Sequence, residues 1–294
     1  MRCRFTAAEA NEKVIIPHQE TNCLSPMPEQ YAVLGNPVSH SKSPLIHAMF
    51  AAQTGQDISY EAIEAPLDGF AATVRQLREA GYKGCNVTVP FKHEAFALAQ
   101  RHTPEAATAH AVNTLLFADD HILGHNTDGI GLVQDIQHNL GLALHGKSVL
   151  LMGAGGTAHG VILPLLQAGA TLAIANRSLD KAEQLAASFH QYGKVTSSSY
   201  AALDGHVFDC VINATSSSLS NALPPLPEHI FSAGALAYDM MYGRQTPFLE
   251  FAARNGAATL ADGTGMLVEQ AAAAFEFWRG IKPDTRPVLA RLRT

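Results

Sequence analysis

From Tyr31 onward, short apolar runs bounded by Gly, Pro, Asn or Asp alternate with stretches whose apolar residues recur at helical spacing. Runs of the first kind read as strands and stretches of the second kind as helices. In the first half the pattern predicts strands at 31–34, 58–63 and 84–88 and helices at about 44–54, 68–80 and 91–100. The segment NTLLFADDHILGHNTDG, residues 113–129, reads as a strand pair turning at Asp119-Asp120, followed by a helix near 128–140. The second half opens with HGKSVLLMGAGG, which is a turn, a buried strand and a glycine loop, and continues into a helix holding VILPLLQAG. TLAIAN, a helix over 178–190, DCVINAT and ALAYDMMY keep up the alternation. A last helical pattern, GMLVEQAAAAFEFWRG over 265–280, is placed to return and pack on the first domain. Such alternation predicts an α/β fold with largely parallel sheets. Residues 1–30 show no clear period, end in SPMPEQ and read as a loose extension.

Composition narrows the picture. At roughly 100 to 200 residues per domain, 294 residues argue for two domains. With 47% AVILMFWYC and 16% charged residues, the chain has core enough to exclude disorder, collagen and coiled coil. Twenty Lys and Arg against 26 Asp and Glu give a net charge of -6, so no electrostatic footprint for nucleic acid is present. Cys3, Cys23, Cys85 and Cys210 form no CxxC pair, which speaks against a zinc knuckle or a disulfide framework and for a reducing cytoplasm. Arg2 and Arg4 suggest a targeting segment, but Glu9, Glu12 and Lys13 interrupt any signal-peptide core and argue against a transit peptide. No stretch has the roughly eighteen apolar residues of a membrane span. One further reading takes Met27 as the biological start and residues 1–26 as an artefact of gene calling, which the intact mass of the native protein tests.

The strongest general motif is Gly153-Ala154-Gly155-Gly156-Thr157-Ala158, between a strand and a helix. The first glycine allows a tight turn, the second lets the backbone approach a pyrophosphate, and Ala158 stands at the third small position. Helix-start N–H groups then face the phosphates. A tight turn without a ligand is the plainer alternative. At the end of the second strand, where an NAD site would carry Asp or Glu, this chain has Asn176-Arg177-Ser178. An arginine fork and polar neighbours suit the 2′-phosphate of NADP, although a solvated arginine and a helix-capping serine account for the same letters.

Ser39 and Ser41, two apart in GNPVSHSKSP, would point the same way in an extended segment and could grip a carboxylate; a polar loop with a helix cap at Ser43-Pro44 is the alternative. Lys92 ends the segment NVTVPFK at a strand-to-helix junction, and Asn113 and Asp128 add an amide and a carboxylate at other element ends. A Lys and an Asp brought together near a carbinol could move a proton while a nicotinamide carries the hydride. His121 and His125 lie on a predicted strand pair with no completing carboxylate, so no metal is expected. Trp278 reads as a packing anchor between domains.

Taken together, GNPVSHSKSP, NVTVPFK, AVNT, NTDG, GAGGTA, NRS, NATSS, YDMMY and DGTGMLVEQAAAAFEFW resemble, in order and spacing from Tyr31 to about Asp284, the shikimate dehydrogenase family, whose members reduce 3-dehydroshikimate with NADPH in aromatic biosynthesis. The resemblance implies Ser39 and Ser41 on the substrate carboxylate, with Thr88, Asn113, Asp128, Gln270 and Tyr242 lining the substrate cleft. It implies Lys92 and Asp128 as the acid/base pair. For NADP it implies Gly153 through Ala158 at the pyrophosphate, Asn176, Arg177 and Ser178 at the 2′-phosphate, and Thr215, Met240 and Gly263 by the nicotinamide or the cleft. The expected organisation is an extension over 1–30, a substrate-binding catalytic domain over 31–127, a Rossmann-type doubly wound NADP domain over 128–263, and C-terminal helices over 264–294 returning to the first domain. The expected partner is a small molecule, with no nucleic acid or membrane, and the expected assembly is a monomer or homodimer.

The chain departs from the family pattern at His93 (often Glu), His110 (often Gly), Thr264 (often Leu), and Ser218 and Asn221, where glycines are usual. The last two put cofactor affinity in question, because glycine tolerates positive φ. Two rivals stay open at this point: a quinate/shikimate dehydrogenase of broader specificity, often using NAD, and a non-catalytic sensor on the same fold.

Overall fold

The computed structural model describes residues 27–215, 217 and 222–293. They build two six-stranded sheets. The first contains β1 (Glu29–Gly35), β2 (Ile58–Glu64), β3 (Gly84–Val87), β4 (Arg101–His102), β5 (Thr114–Phe117) and β6 (Ile122–His125), in the order β2-β1-β3-β5-β6-β4. Its helices are α1 (Ser43–Thr54), α2 (Phe70–Glu79), α3 (Lys92–Leu98) and α4 (Pro104–Ala109). β1, β2 and β3 run parallel, and β5 pairs antiparallel with both β3 and β6. Glu29 and Gln30 belong to β1, held by the pairing of Glu29 with Ile58, so the extension expected over 1–30 gives way to the sheet before Tyr31. Residues 1–26, with Cys3, Cys23 and the reading of that segment as an artefact, lie outside the described residues.

The helix expected over 91–100 is shorter. It stops at Leu98, and a two-residue strand and α4 follow. The reason is local: Thr103 accepts a hydrogen bond from the Ala106 N–H and Pro104 stands in the first turn, which together start a new helix. The helix expected near 128–140 is α5 (Asp128–Gln134) running into a π-turn over Asp135–Asn139.

The second sheet comprises β7 (Ser148–Met152), β8 (Thr171–Ala175), β9 (Val195–Ser198), β10 (Phe208–Asn213), β11 (Phe231–Asp239) and β12 (Thr259–Ala261), ordered β12-β11-β10-β7-β8-β9. Every pairing in it is parallel. A parallel sheet is covered on both faces, so its strands read as continuous apolar runs. β7 shows the division: Val149 and Leu151 face one core with Val161, Leu165 and Leu185, while Leu150 and Met152 face another with Phe248 and Ala252. α6 (Gly156–Gln167) and α7 (Leu179–Phe189) cover the first face, and α8 (Pro247–Arg254) covers the second.

α9 (Thr264–Arg279) follows the second sheet but packs on the first. Its Val268, Ala271, Ala272 and Phe275 pack with Ile46 and Phe50 of α1 and with Val288 and Leu289 of α10 (Arg286–Leu292). Trp278 tilts against Tyr31 at 4.6 Å and donates its indole N–H to the Leu115 carbonyl, 3.0 Å. α5 lies so close to α9 that a Cβ on Gly131 would stand 2.6 Å from the Gln270 Cβ and backbone nitrogen. No helix among the described residues is long and apolar enough to cross a membrane.

His47 on α1 is fully buried, stacks on Tyr60 at 4.1 Å, and has no hydrogen-bond partner for either ring nitrogen among the described residues. Burial pushes its pKa down to about 3. An unfolded histidine titrates near 6.5, so between about pH 6.5 and 3 the unfolded chain binds a proton that the fold rejects. Stability therefore falls as pH drops through that window, by up to about 1.4 kcal/mol per unit from this group. Urea melts from pH 7 to 4 should show a smaller loss for His47→Phe than for the parent, and equal losses would acquit His47.

Candidate active site

The buried aromatic ring of Phe91, stacked on Phe70 at 4.9 Å, fixes the junction between β3 and α3. Lys92 follows as the first residue of α3, and its carbonyl accepts from the Val112 N–H at 2.9 Å, tying the junction to the chain before β5. Lys92 is 8% exposed and Asp128, first in α5, is 5% exposed; Lys92 Nζ donates to Asp128 Oδ2 at 2.6 Å. Two charges removed from water are stable only with close geometry and hydrogen bonds to the remaining lone pairs. Asn113 supplies one, donating from Nδ2 to Asp128 Oδ1 at 2.8 Å. The same amide faces Thr127 Oγ1 at 2.9 Å and Gln270 Oε1 at 3.4 Å. The Thr127 N–H donates to Asn113 Oδ1 at 2.9 Å, and the Asp128 N–H to Asn126 Oδ1 at 3.1 Å.

Beneath this pair a second polar layer runs into the sheet. Tyr60 Oη donates to Asn86 Oδ1 at 2.7 Å, and Asn86 Nδ2 donates to the Asn113 carbonyl and to Thr114 Oγ1 at 3.2 and 3.0 Å. Tyr60 is pushed well above the usual phenol range by burial. Tyr60, Asn86, Thr114, Asn126 and Thr127 were not singled out as site residues from the sequence. The available signal was polar residues at the ends of otherwise apolar strands, in NVT, VNT and HNT.

Ser39 and Ser41 sit on the loop between β1 and α1, exposed and half-buried respectively. That loop is pinned beside the Lys92 junction, because the Asn36 N–H donates to Val89 O at 3.1 Å and the Thr88 N–H to Leu34 O at 2.8 Å. Ser41 Oγ accepts from the Ser43 N–H at 3.2 Å, which leaves the Ser41 hydroxyl proton to donate; the cap expected at Ser43 is not formed, because Ser43 is already the first residue of α1 and no side chain caps the helix.

In the second sheet, β8 lies on one side of β7 and β10 on the other, so the glycine loop after β7 stands at the topological switch, where α/β sheets open a crevice. Gly153 takes φ +108°, a left-handed value, with the Ala214 carbonyl oxygen 3.1 Å from where a Cβ would stand. Gly155 meets open space in that direction. No side chain caps α6 at its start, and the first N–H groups of a helix lack partners within it. This is a cradle that fits a phosphate. Thr215, Met240 and Gly263 gather at the same carboxyl edge: the Met240 N–H donates to Asn213 O at 3.0 Å and the Gly263 N–H to Met241 O at 2.8 Å. Tyr242 is half-buried there, its phenol raised by burial. Asn176, Arg177 and Ser178 follow β8, with Arg177 exposed and Asn176 Nδ2 donating to Ser178 O at 3.1 Å. Ser218 and Asn221 lie outside the described residues. His110 takes φ 47° at the end of α4, a place that favours glycine.

Three family models match the chain: the shikimate dehydrogenase substrate binding domain over residues 33–115, shikimate / quinate 5-dehydrogenase over 134–222, and the shikimate 5'-dehydrogenase C-terminal domain over 263–293. A shikimate dehydrogenase (NADP(+)) of Nitrosospira multiformis is 60% identical over 270 residues, covering 91% of this chain and 98% of that relative. The chain belongs to the shikimate dehydrogenase family. Among solved structures, an Ael1 enzyme from Pseudomonas putida is 50% identical with a TM-score of 0.85, covering 90% of this chain and 98% of its own. The Thermus thermophilus shikimate 5-dehydrogenase in complex with NADP(H) and shikimate is 32% identical with a TM-score of 0.80, again covering 90% and 98%. The family likeness thus spans both sheets and α9.

Among the described residues no group of His, Cys, Asp or Glu is arranged to hold a metal ion. Cys85 and Cys210 are buried free thiols whose pKa values burial raises.

The buried pair generates a stability prediction for this family member. Asp128→Ala leaves an uncompensated ammonium and should cost about 3 to 5 kcal/mol in chemical denaturation, whereas Lys92→Met with Asp128→Leu should recover most of that loss. Equal stability of the single variant and the parent would mean the pair is solvated in solution.

Proposed function

We propose that the chain is an NADP-dependent shikimate dehydrogenase, reversibly reducing 3-dehydroshikimate to shikimate on the way to chorismate and the aromatic amino acids. It would work in the cytoplasm as a monomer or homodimer. In this reading residues 31–127 and the returning helices of 264–294 hold the substrate, and residues 128–263 hold the cofactor. The observation that carries the proposal is the buried Lys92–Asp128 pair, 2.6 Å apart, whose lysine also reaches Thr157 beside the glycine loop.

In reduction, the Lys92 ammonium gives a proton to the C3 carbonyl oxygen, and in oxidation the Lys92 amine takes the proton of the C3 hydroxyl. NADP(H), when held by the glycine loop, would supply or take up the hydride at C3, and the proton moved by Lys92 would complete the interconversion of C=O and CH–OH. Asp128 stabilises the ammonium and holds its direction. Ser39 and Ser41 donate to the substrate carboxylate, and Thr88, Asn113, Gln270 and Tyr242 orient the ring with Asp128. Gly153, Ala154, Gly155, Gly156, Thr157 and Ala158 would cradle the pyrophosphate. Asn176, Arg177 and Ser178 would receive the 2′-phosphate, and Thr215, Met240 and Gly263 would line the nicotinamide.

Initial rates with shikimate or quinate, each with NADP or NAD, test the reading. Turnover should be confined to shikimate with NADP; comparable rates with quinate or NAD would move the chain to the broader branch, and no turnover by folded protein would leave a sensor. Lys92→Ala should lower kcat by about two to four orders of magnitude with substrate binding much less affected. Arg177→Ala should raise the KM for NADP by roughly 10- to 100-fold, the size of a charge-assisted hydrogen-bond contribution. An unchanged KM would remove Arg177 from the 2′-phosphate site.

A further inference from the structure

A lysine ammonium has three N–H donors. In Lys92 one meets Asp128 Oδ2 at 2.6 Å and another meets Thr157 Oγ1 at 3.3 Å, which leaves one for a substrate oxygen. The two acceptors come from different places: Asp128 begins α5, whereas Thr157 is in the first turn of α6, directly after the glycine loop. The contact has flanking support. A Cβ on Gly156 would stand 3.6 Å from Lys92 Cβ and 3.3 Å from His93 Nε2. The His93 ring meets that of His159, one turn along α6 from the loop, edge-on at 5.6 Å, and His93 Nδ1 donates to the His110 carbonyl oxygen at 2.9 Å. The starts of α3 and α6 are therefore in contact at one spot, and the Thr157 hydroxyl is the group there that touches the amine.

We propose that Thr157 is a positioning residue for proton transfer, acting through Lys92 by accepting one of its three N–H bonds and so aiming the remaining one. This rests on the reaction proposed above. With Asp128 alone, the ammonium rotates and swings about one anchor; with Thr157 as a second acceptor at an angle to the first, its third N–H has a defined direction. Orientation of this kind is realised in kcat more than in binding. It also joins the loop that would cradle the cofactor to the amine that moves the proton, so a displaced loop misdirects Lys92.

Thr157→Val keeps the shape and removes the acceptor, and Thr157→Ser keeps the acceptor. The valine variant should lose roughly 10- to 150-fold in kcat in both directions, the effect of one hydrogen bond to a charged group, with the KM for shikimate and the NADP Kd changed less than about 3-fold. The serine variant should stay near the parent. A second readout needs no turnover: reductive methylation of the protein without substrate or cofactor, followed by peptide mass spectrometry. Lys92 should be labelled several-fold faster in Thr157→Val than in the parent or Thr157→Ser, the other lysines being unchanged. Equal labelling of Lys92 in all three, or a loss confined to the NADP Kd, would overturn the proposal. A parent protein that turns over nothing would sink the functional reading, while the labelling comparison would still decide the contact.

Discussion

An ammonium and a carboxylate, both almost entirely out of water and 2.6 Å apart, set the terms for the residues around them. Neither charge is tolerable alone at that depth, so the carboxylate oxygens and two of the three ammonium N–H groups are answered by protein partners. Asp128 is answered by Lys92 on one oxygen and Asn113 on the other. Asn113 in turn is locked on its carbonyl side by the Thr127 N–H and the Thr114 hydroxyl. The polar layer extends inward only as far as Tyr60, where an aromatic cluster of His47, Phe50, Phe275 and Trp278 takes over.

The same demand shapes how the two sheets meet. α5 and its π-turn connect them, and the turn carries Asp135, a buried carboxylate that accepts from Tyr238 Oη of β11 at 2.7 Å and from Asn139 Nδ2 at 3.0 Å. Tyr238 Oη accepts from the Met266 N–H of α9 at 3.2 Å, and Asn139 Nδ2 also reaches Glu269 Oε1 at 3.0 Å. One tyrosine of the second sheet thus fixes both the connecting segment and the start of the returning helix. Gly131 completes the arrangement by letting α9 approach α5 at backbone distance, which is what carries Gln270 into reach of Asn113 and Thr127.

Much of this was legible in the sequence where periodicity or a motif had a physical reason. The apolar run SVLLM before GAGG could hardly be anything but a strand buried on both faces, and NVTVPFK placed a lysine at a strand end. The failures were local and structural. The short segment QRHTPE at 100–105 holds a new helix start at Thr103-Pro104, just past the helix expected over 91–100, and the π-turn at Asp135–Asn139 left no compositional mark. Tyr60 and Asn86 join the site from β2 and β3, strands that flank β1 in a sheet whose order is not written in the chain, so their meeting at 2.7 Å depended on topology. Thr157 was legible as a member of the glycine loop, but its contact with Lys92, 65 residues away, was not.

The chain order of α9 has a consequence for biosynthesis. Trp278 bonds Leu115 across 163 residues and Arg279 bonds Gln56 across 223. On a ribosome adding about 5 to 20 residues per second, roughly 10 to 45 seconds pass between emergence of α1 and of the helix that covers it. During that interval Ile46 and Phe50 have no packing partner from α9, and Gln270 is not yet made. The parallel sheet of the second half, whose strands pair among themselves, has no such wait. The half of the molecule synthesised first is the half completed last, and Ile46 and Phe50 of α1 are the apolar surface a nascent-chain chaperone would meet.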